Sequence, residues 1–147
     1  MIVTPVDIVE RMTRRGQQGK RDLREARRKA AAQIESERGD YRPPHRDTCR
    51  YRRWQQTGDD ANTVRLEHHT WRLGKDLVEF VINAQVLTAD GWTTVEYVDC
   101  CHGSCHHHPQ SGKEIRHIKR LDTIEDVKEA FSKAQPLIYD RLRIIRG

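Results

Sequence analysis

Long apolar runs are missing from this sequence. No stretch of about 18 apolar residues occurs, which excludes an ordinary transmembrane helix. The first ten residues also lack the basic segment, the apolar stretch and the small-residue cleavage site of a secretory signal. We therefore expect a cytoplasmic protein without a membrane partner.

Apolar residues are also few in number. They make up 35% of the 147 residues, and charged residues make up 33%, which is near the polar end of the range for globular proteins. A chain of this length can form one domain with its own core but not two. We expect one compact domain and a further segment outside its core.

The cysteines do not show the paired Cys-x-x-Cys pattern of a structural zinc site. Three of the four, Cys100, Cys101 and Cys105, lie within six residues. This spacing suits metal ligation or free thiols better than a disulfide framework.

Positive charge, by contrast, is concentrated at one end of the chain. Residues 1–57 contain 15 Lys and Arg against 8 Asp and Glu, a net charge of +7, whereas residues 58–147 contain 12 against 14, a net charge of −2. Clustered Lys and Arg favour a polyanionic partner, most often nucleic acid, because they release counterions from the phosphates. A solvated helix face would have the same composition, so both interpretations stay open.

The first 44 residues are predicted to form a basic helical arm and a linker. A helix begins at Thr4 and runs to about Arg15, and a second helix follows from about Lys20 to Arg38. The second helix has few large apolar residues and can bury only a thin stripe. Residues 39–44 then form the linker. The candidate nucleic-acid-binding residues of the arm are Arg24, Arg27 and Arg28.

Residues 45–147 are predicted to form an α+β core domain. Residues 63–73, 77–87 and 92–100 have strand patterns with turn signals between them, and a fourth strand begins near Cys105. A capping box near Asp122 begins a helix that Pro136 breaks or kinks. The predicted fold is therefore N-terminal helices, a four-stranded antiparallel meander and a C-terminal helix or kinked helix pair.

Residues 49–54 interleave three arginines with two aromatic side chains. Arginines next to aromatic rings suit RNA or single-stranded nucleic acid, whose bases stack while the phosphates pair with the guanidinium groups. An edge strand with Tyr51 and Trp54 packed on the core is the simpler interpretation of the same residues. The candidate nucleic-acid-binding residues here are Arg50, Arg52 and Arg53.

The strongest functional signal is the segment 99–108, which holds four histidines, three cysteines and one aspartate. If Gly103 makes a turn, Asp99 and His102 approach from one strand, while His106 and His108 project from the same face of the next. Three imidazoles and a carboxylate would then converge.

Two chemistries use such a group. One histidine can remove a proton from a ribose 2′-hydroxyl while a second assists the leaving group, with Asp99 orienting one ring; this requires no cofactor. Alternatively, zinc can be held by His102, His106 and His108 with Cys105 or Asp99 as a fourth ligand. A polar hairpin tip that exposes its histidines without a function is the third interpretation.

The remaining histidines carry less information. His68 and His69 are adjacent on a predicted strand, so only one of them can share a sheet surface with the segment 99–108. Support across the strands or an ordinary surface position is the simpler expectation for it. His45 and His117 receive no functional assignment.

The predicted element order resembles the RelE/ParE class of small toxins. The run Asp99-x-x-His102-Gly103-x-x-His106-x-His108 is also similar to the Asp-x-x-His and His-x-His elements of toxin-like families related to the TumE proteins of bacteria and their phages. The resemblance covers residues 63–145. It implies a basic α+β protein that cleaves RNA without a metal, and it implies functional roles for Asp99, His102, His106 and His108.

Three functional hypotheses follow. The first is a toxin-like endoribonuclease whose arm holds RNA and whose histidines perform acid–base cleavage, with a cognate antitoxin as a further partner. The second is a non-enzymatic zinc-binding module that docks on nucleic acid or protein. The third is a phage or mobile-element accessory protein whose arm orders on an assembly partner.

Overall fold

The computed structural model describes residues 19–32, 37–112 and 114–147. The chain divides into two compact units, Met1–Ser36 and Glu37–Gly147. In the first unit, residues 19–32 form helix α1, on which Arg24, Arg27 and Arg28 are exposed. The helix predicted between residues 4 and 15 lies outside the described residues. Across the described ranges, no helix is both long and apolar enough to cross a membrane.

The second unit is built on a six-stranded antiparallel sheet, so the prediction of a four-stranded meander is wrong. The strands follow one another in space in chain order. Their bounds are β1 Arg50–Thr57, β2 Val64–Leu73, β3 Asp76–Thr88, β4 Gly91–Cys101, β5 Ser104–His108 and β6 Arg116–Arg120.

The two additional strands lie at the two edges of the sheet. β1 pairs with β2 along its whole length, and β6 pairs with β5. Most of β1 is exposed, and β6 has no buried residue. Edge strands that bury little do not need an alternating apolar pattern. This is why the sequence pattern predicts the central strands but not the complete sheet.

Helix α2, Ile124–Arg141, covers one face of the sheet. Its buried residues Val127, Ala130, Ala134 and Ile138 recur at helical spacing and join one apolar cluster with the central strands. The Asp126 carboxylate accepts a hydrogen bond of 3.0 Å from the Thr123 amide and so caps the first turn. The helix continues through Pro136, so the predicted break does not occur.

The segment before β1 is hydrogen-bonded to the sheet. The Gly39 amide donates to the Gly103 carbonyl at 2.8 Å, and the Tyr41 amide donates to the Leu121 carbonyl at 3.0 Å. The Tyr41 hydroxyl donates to the Val78 carbonyl at 2.6 Å, and burial is the main reason that the pKa of this tyrosine rises to about 12. These bonds fix Glu37 beside the turn between β4 and β5.

Candidate active site

The three consecutive histidines of β5 separate onto the two faces of the sheet, because successive side chains of a strand point in opposite directions. His107 lies opposite Val98 and faces α2, where its Nε2 lies 2.7 Å from the Glu96 carboxylate. His106 and His108 point to the other side. The side of the sheet that faces away from α2, which carries Asp99, His106 and His108, is here called the distal face.

Antiparallel pairing aligns one residue from each strand in a single row on the distal face. The row consists of Arg53, His69, Val81, Asp99, His106 and His117, each paired with the next. Neighbouring strands lie about 4.8 Å apart, so His69 is roughly 14 Å from His106. The row therefore carries two separate polar groups, one at each end.

Asp99 and His108 form the first histidine–carboxylate pair. His108 Nε2 lies 3.2 Å from Asp99 Oδ1, and both side chains are partly exposed. The ring of Tyr97 stacks on His108 with centroids 4.2 Å apart and planes within 12°. The carboxylate thus holds one edge of the imidazole and Tyr97 covers one side, while the His108 side chain stays 25% exposed.

Glu37 and His117 form the second pair, next to His106. His117 Nδ1 lies 3.0 Å from Glu37 Oε2, and His106 Nε2 lies 3.9 Å from the same oxygen. The Ser104 hydroxyl lies 3.3 Å from each of these ring nitrogens. Burial, and then the neighbouring His117, lower the pKa of His106.

His106 therefore stands between the two pairs. Its ring centroid is 6.4 Å from that of His108 and 5.6 Å from that of His117. The distal face thus presents several proton-transfer groups around one position.

The structure brings together Asp99, His106 and His108, three of the four predicted catalytic residues. It leaves out His102, which is exposed and has φ of 50° in the turn between β4 and β5. The predicted zinc set of His102, Cys105, His106 and His108 is not assembled, because Cys105 lies opposite Cys100 on the side of the sheet that faces α2.

Sequence reasoning missed Glu37, Ser104 and His117. His117 lies on an edge strand without an apolar pattern, and its position opposite His106 depends on the register of β5 with β6. Glu37 reaches the site only through the tertiary contacts of its segment. Of the three, only Ser104 has a signal in the sequence: it lies two positions before His106, so the two side chains share one face of the strand.

The other end of the row holds a hydrogen-bonded chain of side chains. The Tyr51 hydroxyl lies 2.5 Å from His69 Nδ1, and His69 Nε2 lies 2.7 Å from Glu67 Oε1. Burial alone would raise the pKa of Glu67, but hydrogen bonds from three side chains lower it to about 2. One of those donors is Arg53, whose Nε lies 3.0 Å from Glu67.

The predicted nucleic-acid-binding arginines of β1 are divided between the two faces. Arg53 stands in the row of the distal face, while Arg52 lies over the Trp54 ring, 5.0 Å from its centroid, on the opposite side. Arg50 is exposed near the start of the strand. Tyr51 is 49% exposed, and its ring stacks on that of His69 with centroids 5.9 Å apart.

Chemically, the distal face can move protons and can offer metal ligands. Within the described residues, Glu37, His106 and His117 form a group whose ligand atoms all lie within 4.8 Å of one another. Two histidines and a carboxylate are also the donors of many zinc sites. The chain matches no protein family model, and comparisons with curated proteins and with solved structures also gave no match.

Proposed function

We propose that this protein is a toxin-like endoribonuclease that uses the histidines of the distal face for acid–base cleavage in the cytoplasm. One observation carries the proposal: two histidine–carboxylate pairs, Asp99 with His108 and Glu37 with His117, flank His106 on one surface. Cleavage of RNA through its own 2′-hydroxyl needs a base, an acid and a bound phosphate.

The reaction needs no external reactant. His106 takes the proton of the 2′-hydroxyl, and the 2′-oxygen attacks the adjacent phosphorus. The bond from phosphorus to the 5′-oxygen breaks, and protonated His108 gives its proton to that oxygen. Asp99 stabilises the positive charge on His108 and holds the ring in place. The products are a 2′,3′-cyclic phosphate and a 5′-hydroxyl.

Positive charge supports an RNA substrate. Arg24, Arg27 and Arg28 are exposed on α1, and Arg53, which forms an ion pair with Glu67, lies in the same row as the histidines. Residues 1–57 carry a net charge of +7. Arginine and lysine side chains bind the phosphate backbone without sequence preference, and this binding weakens steeply as the salt concentration rises. A cognate antitoxin that covers the basic arm would block the same contacts.

Cleavage of single-stranded RNA by the full chain, with EDTA present, tests the proposal. His106→Gln and His108→Gln should each lower the cleavage rate by about 100-fold or more, because each removes one proton-transfer group. The matched controls are His45→Gln and His102→Gln, two exposed histidines outside the site, which should cleave at the wild-type rate.

Substrate chemistry provides a second readout. RNA with a single 2′-deoxy nucleotide at the cleaved position should resist cleavage at that bond, and the product should end in a 2′,3′-cyclic phosphate. Circular dichroism establishes that each variant is folded. A wild-type protein that leaves RNA uncut, or a His106→Gln, His108→Gln double variant that cuts at full rate, would refute the proposal.

A further inference from the structure

We infer that Glu37, His106 and His117 form a binding site for a divalent transition-metal ion, with Zn²⁺ the best match, and that the bound ion switches off cleavage. The site differs from the zinc set that the sequence predicts, since it contains no thiol and shares only His106 with it. Its three ligands come from β5, β6 and the segment before β1.

The spacing of the donor atoms fits a tetrahedral ion. Ligand atoms about 2.0–2.1 Å from a tetrahedral zinc ion lie roughly 3.3–3.4 Å from one another. The His117 nitrogen and the Glu37 oxygen are 3.0 Å apart, and the His106 nitrogen is 3.9 Å from that oxygen. These two pairs need shifts of roughly 0.3–0.6 Å to reach that spacing, and all the ligand atoms of the group lie within 4.8 Å of one another.

The Ser104 hydroxyl lies beside both imidazoles of this group and is a candidate for the fourth ligand position. It is 3.3 Å from both His106 Nε2 and His117 Nδ1, close to the separation expected between zinc ligands. A neutral hydroxyl is a weaker ligand than an imidazole or a carboxylate, so water can compete for this position. Ser104 would then hold that water by a hydrogen bond.

The chemistry and exposure of the donors also suit a metal ion. Two imidazoles and one carboxylate select zinc and similar transition metals over Ca²⁺ or Mg²⁺, which prefer all-oxygen ligands. The His106 side chain is 4% exposed, whereas the Glu37 and His117 side chains are each 26% exposed. The site is thus anchored on one side and open to an entering ion on the other.

The effect on cleavage rests on the proposed function. A metal ion bound to His106 Nε2 takes the lone pair that would otherwise accept the 2′-hydroxyl proton. His108 and Asp99 lie outside the ligand set. Metal occupancy and RNA cleavage should therefore exclude each other.

Metal binding is measured first, without RNA. Untagged full-length protein, stripped with EDTA and dialysed, is titrated with Zn²⁺ by calorimetry, and with Co²⁺ by absorption spectroscopy. We expect one ion per chain, a tetrahedral Co²⁺ spectrum without a thiolate charge-transfer band, and at least tenfold weaker binding in Glu37→Gln and His117→Gln. His45→Gln is the matched control and should bind as the wild type does.

Folding of the variants is checked by comparing their Tm with that of the wild type in EDTA. Zn²⁺ should raise the Tm of the wild type and of His45→Gln more than that of His117→Gln. The absence of Zn²⁺ binding, equal affinity in Glu37→Gln and the wild type, or a thiolate band with Co²⁺ would overturn the metal site.

Cleavage is then measured over the same range of Zn²⁺ concentrations. The wild type should lose activity as the site fills, and EDTA should restore it; Zn²⁺ that binds without inhibiting would overturn the inhibitory role. Because binding is measured without RNA, a protein that binds Zn²⁺ but never cleaves RNA would refute the proposed function and leave the metal site standing.

Discussion

The buried imidazole of His107 lies 2.7 Å from the Glu96 carboxylate, and neither side chain is exposed. Arg141 of α2 donates to the same carboxylate from the other side, with Nη2 2.9 Å from Glu96 Oε1. Burial lowers the pKa of His107, so the neutral ring donates its Nε2 proton to Glu96. This group joins β4, β5 and α2, and it fixes the direction in which His106 and His108 point.

Substitution of Glu96 should destabilise the fold. Glu96→Gln leaves the partly buried Arg141 facing a neutral amide, and loss of one partner from a buried ion pair costs about 3–5 kcal/mol. We expect a decrease of about 3 kcal/mol in the free energy of unfolding, measured by urea denaturation. Glu114→Gln, at an exposed position, should change it by less than about 0.5 kcal/mol. Equal values for the two variants would contradict a structural role for Glu96.

The central strands and helix α2 could be predicted from the sequence, because the positions of their apolar residues coincide with the faces that they bury. In β3 an apolar residue recurs at every second position from Val78 to Val86. Gly91, with φ of 99°, follows a turn signal and begins the next strand. The apolar spacing of α2 follows a capping signal at Thr123. β6 has no such pattern, because an edge strand of mostly charged residues buries little.

Part of the site could also be predicted from local sequence patterns. The two-residue period of a strand places His106 and His108 on one face, and pairing with β4 adds Asp99. His102 was misplaced because the turn contains two residues, His102 and Gly103, both with positive φ. A residue in that turn belongs to neither strand face. Glu37 and His117 depend on tertiary contacts and strand register, which a local pattern does not contain.

His68 should make stability depend on pH. Its ring is 1% exposed, stacks on Trp54 with centroids 4.6 Å apart, and has no hydrogen-bond partner at either nitrogen. Burial, and then the neighbouring His69, lower its pKa to about 4, from about 6.5 in the unfolded chain. Between these values the unfolded state binds the proton and the folded state does not, so stability falls as the pH falls.

The expected size is roughly 3 kcal/mol between pH 6.5 and pH 4, since each pKa unit corresponds to about 1.4 kcal/mol. Urea denaturation at several pH values measures it. His68→Phe keeps an aromatic ring against Trp54 but cannot be protonated, so its stability should fall less over this range. Parallel pH curves for the two proteins would show that His68 does not contribute.

Cys100 and Cys105 should resist alkylation. They face each other across β4 and β5, and both are buried. Burial, and then contact with Cys105, raise the pKa of Cys100 well above its usual value, which leaves little of the reactive thiolate. Cys49 is partly exposed.

We expect iodoacetamide to label Cys49 at least about tenfold faster than Cys100 or Cys105 at pH 8, as measured by mass spectrometry of peptides. The Cys101→Ser variant is used, so that labelling of Cys100 is not confused with labelling of the adjacent Cys101. In concentrated urea the three cysteines should be labelled at similar rates. Rapid labelling of Cys100 in the folded protein would show that the strand pair opens in solution.

Replacement of Gly103 should be far more harmful than replacement of another glycine with the same backbone conformation. Gly103 has φ of 79° and Gly112 has φ of 67°, so alanine is strained at both positions. A Cβ at Gly103 would overlap the Gly39 carbonyl oxygen, whereas a Cβ at Gly112 would meet nothing within 4 Å. The Gly103 carbonyl also accepts hydrogen bonds from the amides of Gly39 and Leu121, at 2.8 and 2.9 Å.

Gly112→Ala should therefore lower the free energy of unfolding by about 1 kcal/mol, the usual cost of the left-handed conformation. Gly103→Ala should lower it by roughly 3 kcal/mol or more, because the segment that carries Glu37 must also move away from the turn. Denaturation in urea measures both. A difference of less than about 0.5 kcal/mol between them would mean that residues 39–41 do not pack on the turn, and Glu37 would then lose its place beside His117.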